Sequence, residues 1–198
     1  MKIETANQLC GRATHTIFFA GFGALWLTLG CGAMHILGVA AASVIALGLT
    51  VLILAALPLF RLAKQWPRIA DDPAVGRARN GINVVLGLAI ALVSFAMSRL
   101  NLDAYLPSAL TAIAGLHKFS LARLFRYSSY YTAGAMLLVW AVASIIFLTV
   151  EDLQGIAALG TGVILWLNAA TTLAIAWRNA RQSRAALTYH LSNSPNAN

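Results

Sequence analysis

The stretch Thr16 to Phe60 reads TIFFAGFGALWLTLGCGAMHILGVAAASVIALGLTVLILAALPLF, 45 consecutive residues without Asp, Glu, Lys or Arg. One helix needs about 20 apolar residues to cross about 30 Å of hydrocarbon, so this run is long enough for two. The segment Gly30-Cys31-Gly32-Ala33-Met34-His35-Ile36-Leu37-Gly38 places three glycines and a histidine in an otherwise aliphatic pattern, and the turn is expected there. Helix one is predicted at 14–34 and helix two at 38–60.

Outward from this hairpin, three further uncharged runs can each span alone: Asn80 to Ser98, Tyr127 to Val150 and Leu153 to Trp177. They predict helices at 80–99, 127–150 and 153–177. A shorter run, Ala104 to His117, reaches spanning length only with Lys118 inside it, which gives a helix at 104–125. No strand-length alternation of apolar and polar residues suggests a barrel. The whole chain agrees: 60% of its 198 residues are hydrophobic, 10% are charged and the mean hydropathy is +0.76. Soluble domains carry about 25% charged residues, so a water-soluble fold is excluded. The expected class is an all-α integral membrane protein, a single domain over 1–191 with six transmembrane helices. An amphipathic extension follows helix six, and 192–198 forms a flexible tail.

Basic residues set the expected orientation. With the amino terminus in the cytoplasm, 13 of the 14 Lys and Arg residues fall inside and only Arg99 falls outside. Both termini are then cytoplasmic, in a bacterial inner membrane. Helices one to three begin inside and four to six outside, the parity of an inverted 3+3 repeat. The net charge of +8 follows from this topology; it calls for anionic headgroups at the cytoplasmic face and for no nucleic acid. The charged start followed by an apolar run also resembles a signal peptide, but it is read as a retained first helix. Cys10 and Cys31 lie at opposite ends of that helix, too far apart to pair with each other.

In the one sizeable loop, 61–79, Asp72 is expected to cap a helix beginning at Pro73. The Asp71-Asp72 pair lacks the further acids that phosphotransferase chemistry needs. Arg99 and Asp103 are four apart, an ordinary surface pair if the third helix continues that far.

Candidate site residues come from depth. His117 and Lys118 lie within the fourth span, where ionisable side chains are costly and face the bundle interior or water. Asn168 and Thr172 on helix six fall at a similar level. Trp26, Trp140 and Trp166 lie near mid-membrane rather than in the interfacial belts, each with an N–H to satisfy. Together these seven residues are expected to line a cavity serving as a substrate or proton pathway, against the alternatives that the tryptophans face lipid or fill the bundle and that His117 is a neutral, hydrogen-bonded side chain.

The stretch Gly115-Leu116-His117-Lys118-Phe119-Ser120-Leu121-Ala122-Arg123-Leu124-Phe125 resembles a family of small multi-pass bacterial membrane proteins of unknown activity. Those carry Gly-Leu-His-Phe, then Pro-Leu-Ala, then Leu-Phe. Here Lys118 is inserted before Phe119 or, in strict register, Lys118 replaces Phe and Ser120 replaces Pro. The resemblance covers about 20 residues, including Tyr130-Tyr131. It implies a bacterial inner-membrane protein and brings no activity with it.

No catalytic constellation, metal site or cofactor is expected. Zinc spacing, a phosphate loop and a nucleophile motif are all missing. Only His15 and His117 share a leaflet, at unequal depths, which leaves bis-histidine haem unsupported. No two glycines are four apart, so a GxxxG dimer motif is absent and a homo-oligomer is allowed but not indicated. Ala20/Ala24, Ala42/Ala46 and Ala157/Thr161 are weaker small-residue ridges. Three function classes follow. The first, slightly favoured by the His117-Lys118 pair, is a transporter or channel-like protein for a small solute or proton, which predicts a central polar cavity. The second is a non-catalytic membrane subunit or scaffold binding lipid or a partner, which predicts a closed bundle with an exposed groove. The third, a membrane enzyme acting on lipid, is the weakest, since neither interface offers a metal or nucleophile constellation.

Overall fold

The computed structural model describes residues 6–66, 73–125 and 128–192, with side chains through 182 except that of Ser128. The expected cap at Asp72, the Asp71-Asp72 pair and the tail from 193 onward lie outside them. The described residues form α1 (Ala6–Ala33), α2 (Val39–Ala63), α3 (Pro73–Arg99), a 3-10 turn (Asp103–Tyr105), α4 (Leu106–Phe125), α5 (Ser128–Phe147) and α6 (Val150–Ser192). Five of them, all but α4, are long and apolar enough to cross a membrane. α4 falls short in composition, yet it packs against α3, α5 and α6.

Most helices outrun their apolar runs. α1 begins at Ala6 rather than 14, α3 at Pro73 rather than 80, and α6 continues to Ser192 without a break at 177. Polar residues such as Asn7, Gln8 and Arg12 are good enough helix formers once the apolar turn beyond them has nucleated. α5 is shorter than expected, ending at Phe147, because Thr149 caps α6: the Asp152 N–H approaches Thr149 Oγ1 at 3.4 Å, and that hydroxyl donates to the Asp152 carboxylate at 3.0 Å.

The expected turn at 30–38 closes on a non-glycine residue. His35 adopts φ 56°, and around it Ile36 N–H donates to the Cys31 carbonyl (2.9 Å) and His35 N–H to that of Gly32 (3.0 Å). This is a Schellman ending with histidine in the left-handed position. α3 ends the same way on Asn101, φ 55°, with Leu102 N–H bonded to the Met97 carbonyl at 2.9 Å. The helix therefore stops before Asp103. Arg99 stacks over the Phe95 ring, 5.1 Å from its centroid, so the expected Arg99–Asp103 helical pair does not form.

The core lies between α1 and α6, which run antiparallel with their backbones in contact. A Cβ added at Gly30 would lie 2.9 Å from the Gly155 carbonyl oxygen, and one at Gly162 2.9 Å from that of Gly23. Glycines seven apart on each helix thus meet glycines seven apart on the other. Gly115 and Gly134 bring α4 and α5 together similarly, a Cβ at Gly134 falling 2.8 Å from the Gly115 carbonyl oxygen. Lipid is as apolar as leucine, so association inside a bilayer rests on such close packing and on hydrogen bonds between helices. The ridges Ala20/Ala24 and Ala157/Thr161 are buried in this core, while Ala42 and Ala46 face outward.

Hydroxyls tie α4 to its neighbours toward the face where α4 begins. Ser108 and Ser144 Oγ atoms are 2.8 Å apart, and Thr111 and Thr161 Oγ1 atoms 2.6 Å apart, all fully buried. α2 and α3 flank this core. α3 buries no residue at all, and its Val84, Val85, Leu88, Leu92 and Phe95 are exposed, as a surface wetted by acyl chains permits.

Candidate functional site

Where the first residues of α1 pack beside the later turns of α6, polar side chains gather in the bundle. His15 lies 18 residues before the end of α1 and Asn168 18 residues after the start of α6, each about 27 Å along its helix at 1.5 Å per residue. The group therefore sits toward one end of the bundle, not at its middle. This face, called here the terminal face, also holds the end of α4 and the start of α5.

The Tyr130 hydroxyl of α5 lies 2.6 Å from His15 Nε2 and 2.7 Å from Nδ1, a hydrogen-bonded contact in which the imidazole tautomer sets which atom donates. Phe19 and Phe125 enclose the imidazole, with ring centroids 6.0 and 6.3 Å away. Next to this pair is a space of about 20 Å³ bounded by Arg12, His15, Phe19, Ser129, Tyr130, Ala133, Asn168 and Thr172. It is the size of a single water molecule and has enough polar groups around it to hold one.

Lys118 reaches the same neighbourhood from α4. Its Nζ stands 4.0 Å from the centroid of Phe19 and 6.0 Å from that of Tyr130, a cation–π arrangement bridging α4 to α1 and α5. It has no hydrogen bond or ion pair among the described residues. The described acids Asp103, Glu151 and Asp152 are all at the opposite end of the bundle.

Of the seven residues expected to line one cavity, Asn168 and Thr172 do share a space, and Lys118 stands beside it. His117 does not join them. Consecutive residues on a helix point about 100° apart, and Lys118 takes the interior stripe of Thr111, Gly115 and Ala122, leaving His117 half-buried on another face. The histidine of the cluster is His15, which the charge-free runs had placed at a helix end.

The tryptophans do something else. Trp166 Nε1 donates to the Ala20 carbonyl (3.0 Å), and its ring occupies the room left by Gly23 and Gly48, where a Cβ would collide with it. Trp140 Nε1 donates to the Ala157 carbonyl (3.0 Å), with its ring against Gly160. Trp26 is half-buried beside the same core. The rings of Trp140 and Trp166 pack between α1, α2, α5 and α6. Their N–H groups find backbone carbonyls on other helices, as Trp177 does with Ala55 at 3.2 Å.

The described residues contain no group of three or more His, Cys, Asp or Glu that could hold a metal ion. No family model matches the chain, and neither a curated protein nor a solved structure is significantly similar to it.

Proposed function

We propose that the protein is a non-catalytic membrane subunit or scaffold that binds lipid or a partner protein. Its setting is a bacterial inner membrane with both termini in the cytoplasm. The observation that carries this is how the interior is occupied. Glycine backbones touch along the α1–α6 seam, indoles fill the space beside it, and buried hydroxyl pairs tie α4 to α5 and α6. Polar groups and cations collect at the terminal face, next to the headgroups, and two helices keep broad apolar faces outward. Anionic headgroups at the cytoplasmic side are the natural neighbours of the basic residues there.

In the pairing of helices, α1 with α2 and α6 is matched by α4 with α5 and α3, as an inverted 3+3 arrangement requires. The contact of α5 with α6 has no counterpart of similar extent between α2 and α3 among the described residues, which weighs against full internal symmetry.

A second reading, transport of a small solute or a proton, is favoured by the water-sized space lined by His15, Tyr130, Asn168 and Thr172. One experiment separates the two. Vesicles carrying the purified protein and an internal pH dye should dissipate a proton gradient no faster than empty vesicles. Flux that is lost in His15→Ala would reverse the preference. A fluorescent-protein fusion at the carboxyl terminus should fluoresce, as it does only when the terminus is cytoplasmic.

A further inference from the structure

We infer that a second copy of this chain docks on α3, the two α3 helices running parallel about a twofold axis along the membrane normal and joined by hydrogen bonds between their Asn83 carboxamides. The inference goes beyond the function proposed above and holds under either reading of it.

α3 has unlike sides. Ile82, Leu86, Ala89, Val93 and Met97, three or four residues apart, are half-buried and mark the side turned to α4, the helix it packs against. Asn80, Asn83, Gly87 and Ala91 recur at the same spacing on another side, and all four are exposed. Neither asparagine makes a side-chain hydrogen bond among the described residues. Asn168, within the apolar run of α6, donates to the carbonyl of Ile164 one turn back at 2.9 Å; Asn83 has no such bond. It lies four residues past Arg79, about 6 Å into the uncharged run 80–98 at 1.5 Å per residue. Its short side chain does not reach back over that turn as the long stem of a snorkelling Lys or Arg does. A carboxamide has two N–H donors and an acceptor oxygen, and in hydrocarbon these cost free energy until they are met. Acyl chains meet none of them.

The chemistry of the group selects the occupant. In a twofold pair the residue nearest the axis faces its own equivalent. Like charges would repel there, whereas a carboxamide can donate to an identical carboxamide and accept from it at once. Copies inserted with one topology run their α3 helices parallel, so Asn83 meets Asn83 at equal depth. A lone asparagine sets register and oligomer state in coiled coils by the same means. Gly87 and Ala91, further along that side, are too small to hold the helices apart. The bulky Val85, Leu88 and Leu92 lie on the remaining side, left to lipid.

The test is single-molecule photobleaching of the fluorophore-labelled full chain in liposomes over a range of protein-to-lipid ratios. The parent should pass from one bleaching step to two as its density rises. Asn83→Val should weaken the pairing about five- to tenfold, the effect of losing two interhelical hydrogen bonds. Asn83→Gln keeps the carboxamide and should retain it. Gly87→Ala keeps that side small, and Leu88→Ala lies off it, so both should pair like the parent. Cross-linking supplies a second readout with Asn83 intact: in a Cys10→Ala, Cys31→Ala chain, Asn80→Cys should join two copies on mild oxidation and Val85→Cys should not. A single bleaching step at every density would overturn the pairing. Indifference to Asn83→Val in a variant that melts like the parent, or equal cross-linking at the two cysteines, would overturn the interface. The vesicle flux measurement is separate: protein-dependent flux would sink the subunit reading and leave this pairing standing.

Discussion

α6 and α3 are both apolar enough to cross a membrane, and they are held in opposite ways. α6 meets α1 with glycine against glycine, receives Thr111 and Trp140 from α4 and α5, and buries a continuous stripe from Leu153 to Ala180. α3 buries nothing, and its glycines Gly76, Gly81 and Gly87 have no neighbour within reach of an added Cβ. Apolarity explains why each helix stays in lipid. What fastens a helix to its neighbours is the fit of small residues, indoles and hydroxyls, which the apolar content of a span does not report.

That contrast can be broken most forcefully at Trp166. Trp166→Ala removes the ring seated between Gly23 and Gly48 and its bond to Ala20, and should lower the unfolding free energy by about 3–5 kcal/mol, measured by steric trapping in bicelles. Gly162→Val should cost about 1–3 kcal/mol by the same measurement, since its side chain would be driven into Leu27 and the Gly23 carbonyl. Thr161→Val should cost only about 0.6 kcal/mol. Thr111 can donate instead to the Pro107 carbonyl, 2.7 Å away, so the loss of its partner strands no proton. Gly87→Ala on α3 should fall within about 0.5 kcal/mol of the parent, as surface changes remote from packing generally do. If Gly87→Ala were as costly as Gly162→Val, α3 would have a packing partner in the membrane and the contrast would fail.

The helices were legible because absence of charge over about 20 residues is a property of one segment at a time. Their ends were not: α1 and α6 continue through Arg12 and Arg178, residues that a helix accepts as readily outside lipid as a loop does. The seam was hidden for another reason. Spacing within one helix offered no GxxxG, and the pairing of Gly23 and Gly30 with Gly162 and Gly155 exists only when two distant helices meet. Lys118 was recognisable as an interior charge because a span had to contain it. Depth along a helix does not report the angle around it, which brings Lys118 toward Phe19 and Tyr130 and turns His117 to another face. The glycines opposite Trp140 and Trp166 account for those two indoles as filling.

The unbroken run of α6 has a mechanical side. Its 43 residues make a rod about 65 Å long at 1.5 Å per residue, roughly twice the thickness of the apolar slab. Because the same rod carries Gly155, Gly162 and Trp166, any twist applied to its projecting end is delivered to the seam with no hinge between to absorb it. A partner gripping the projecting end of α6 would hold a lever on the centre of the bundle.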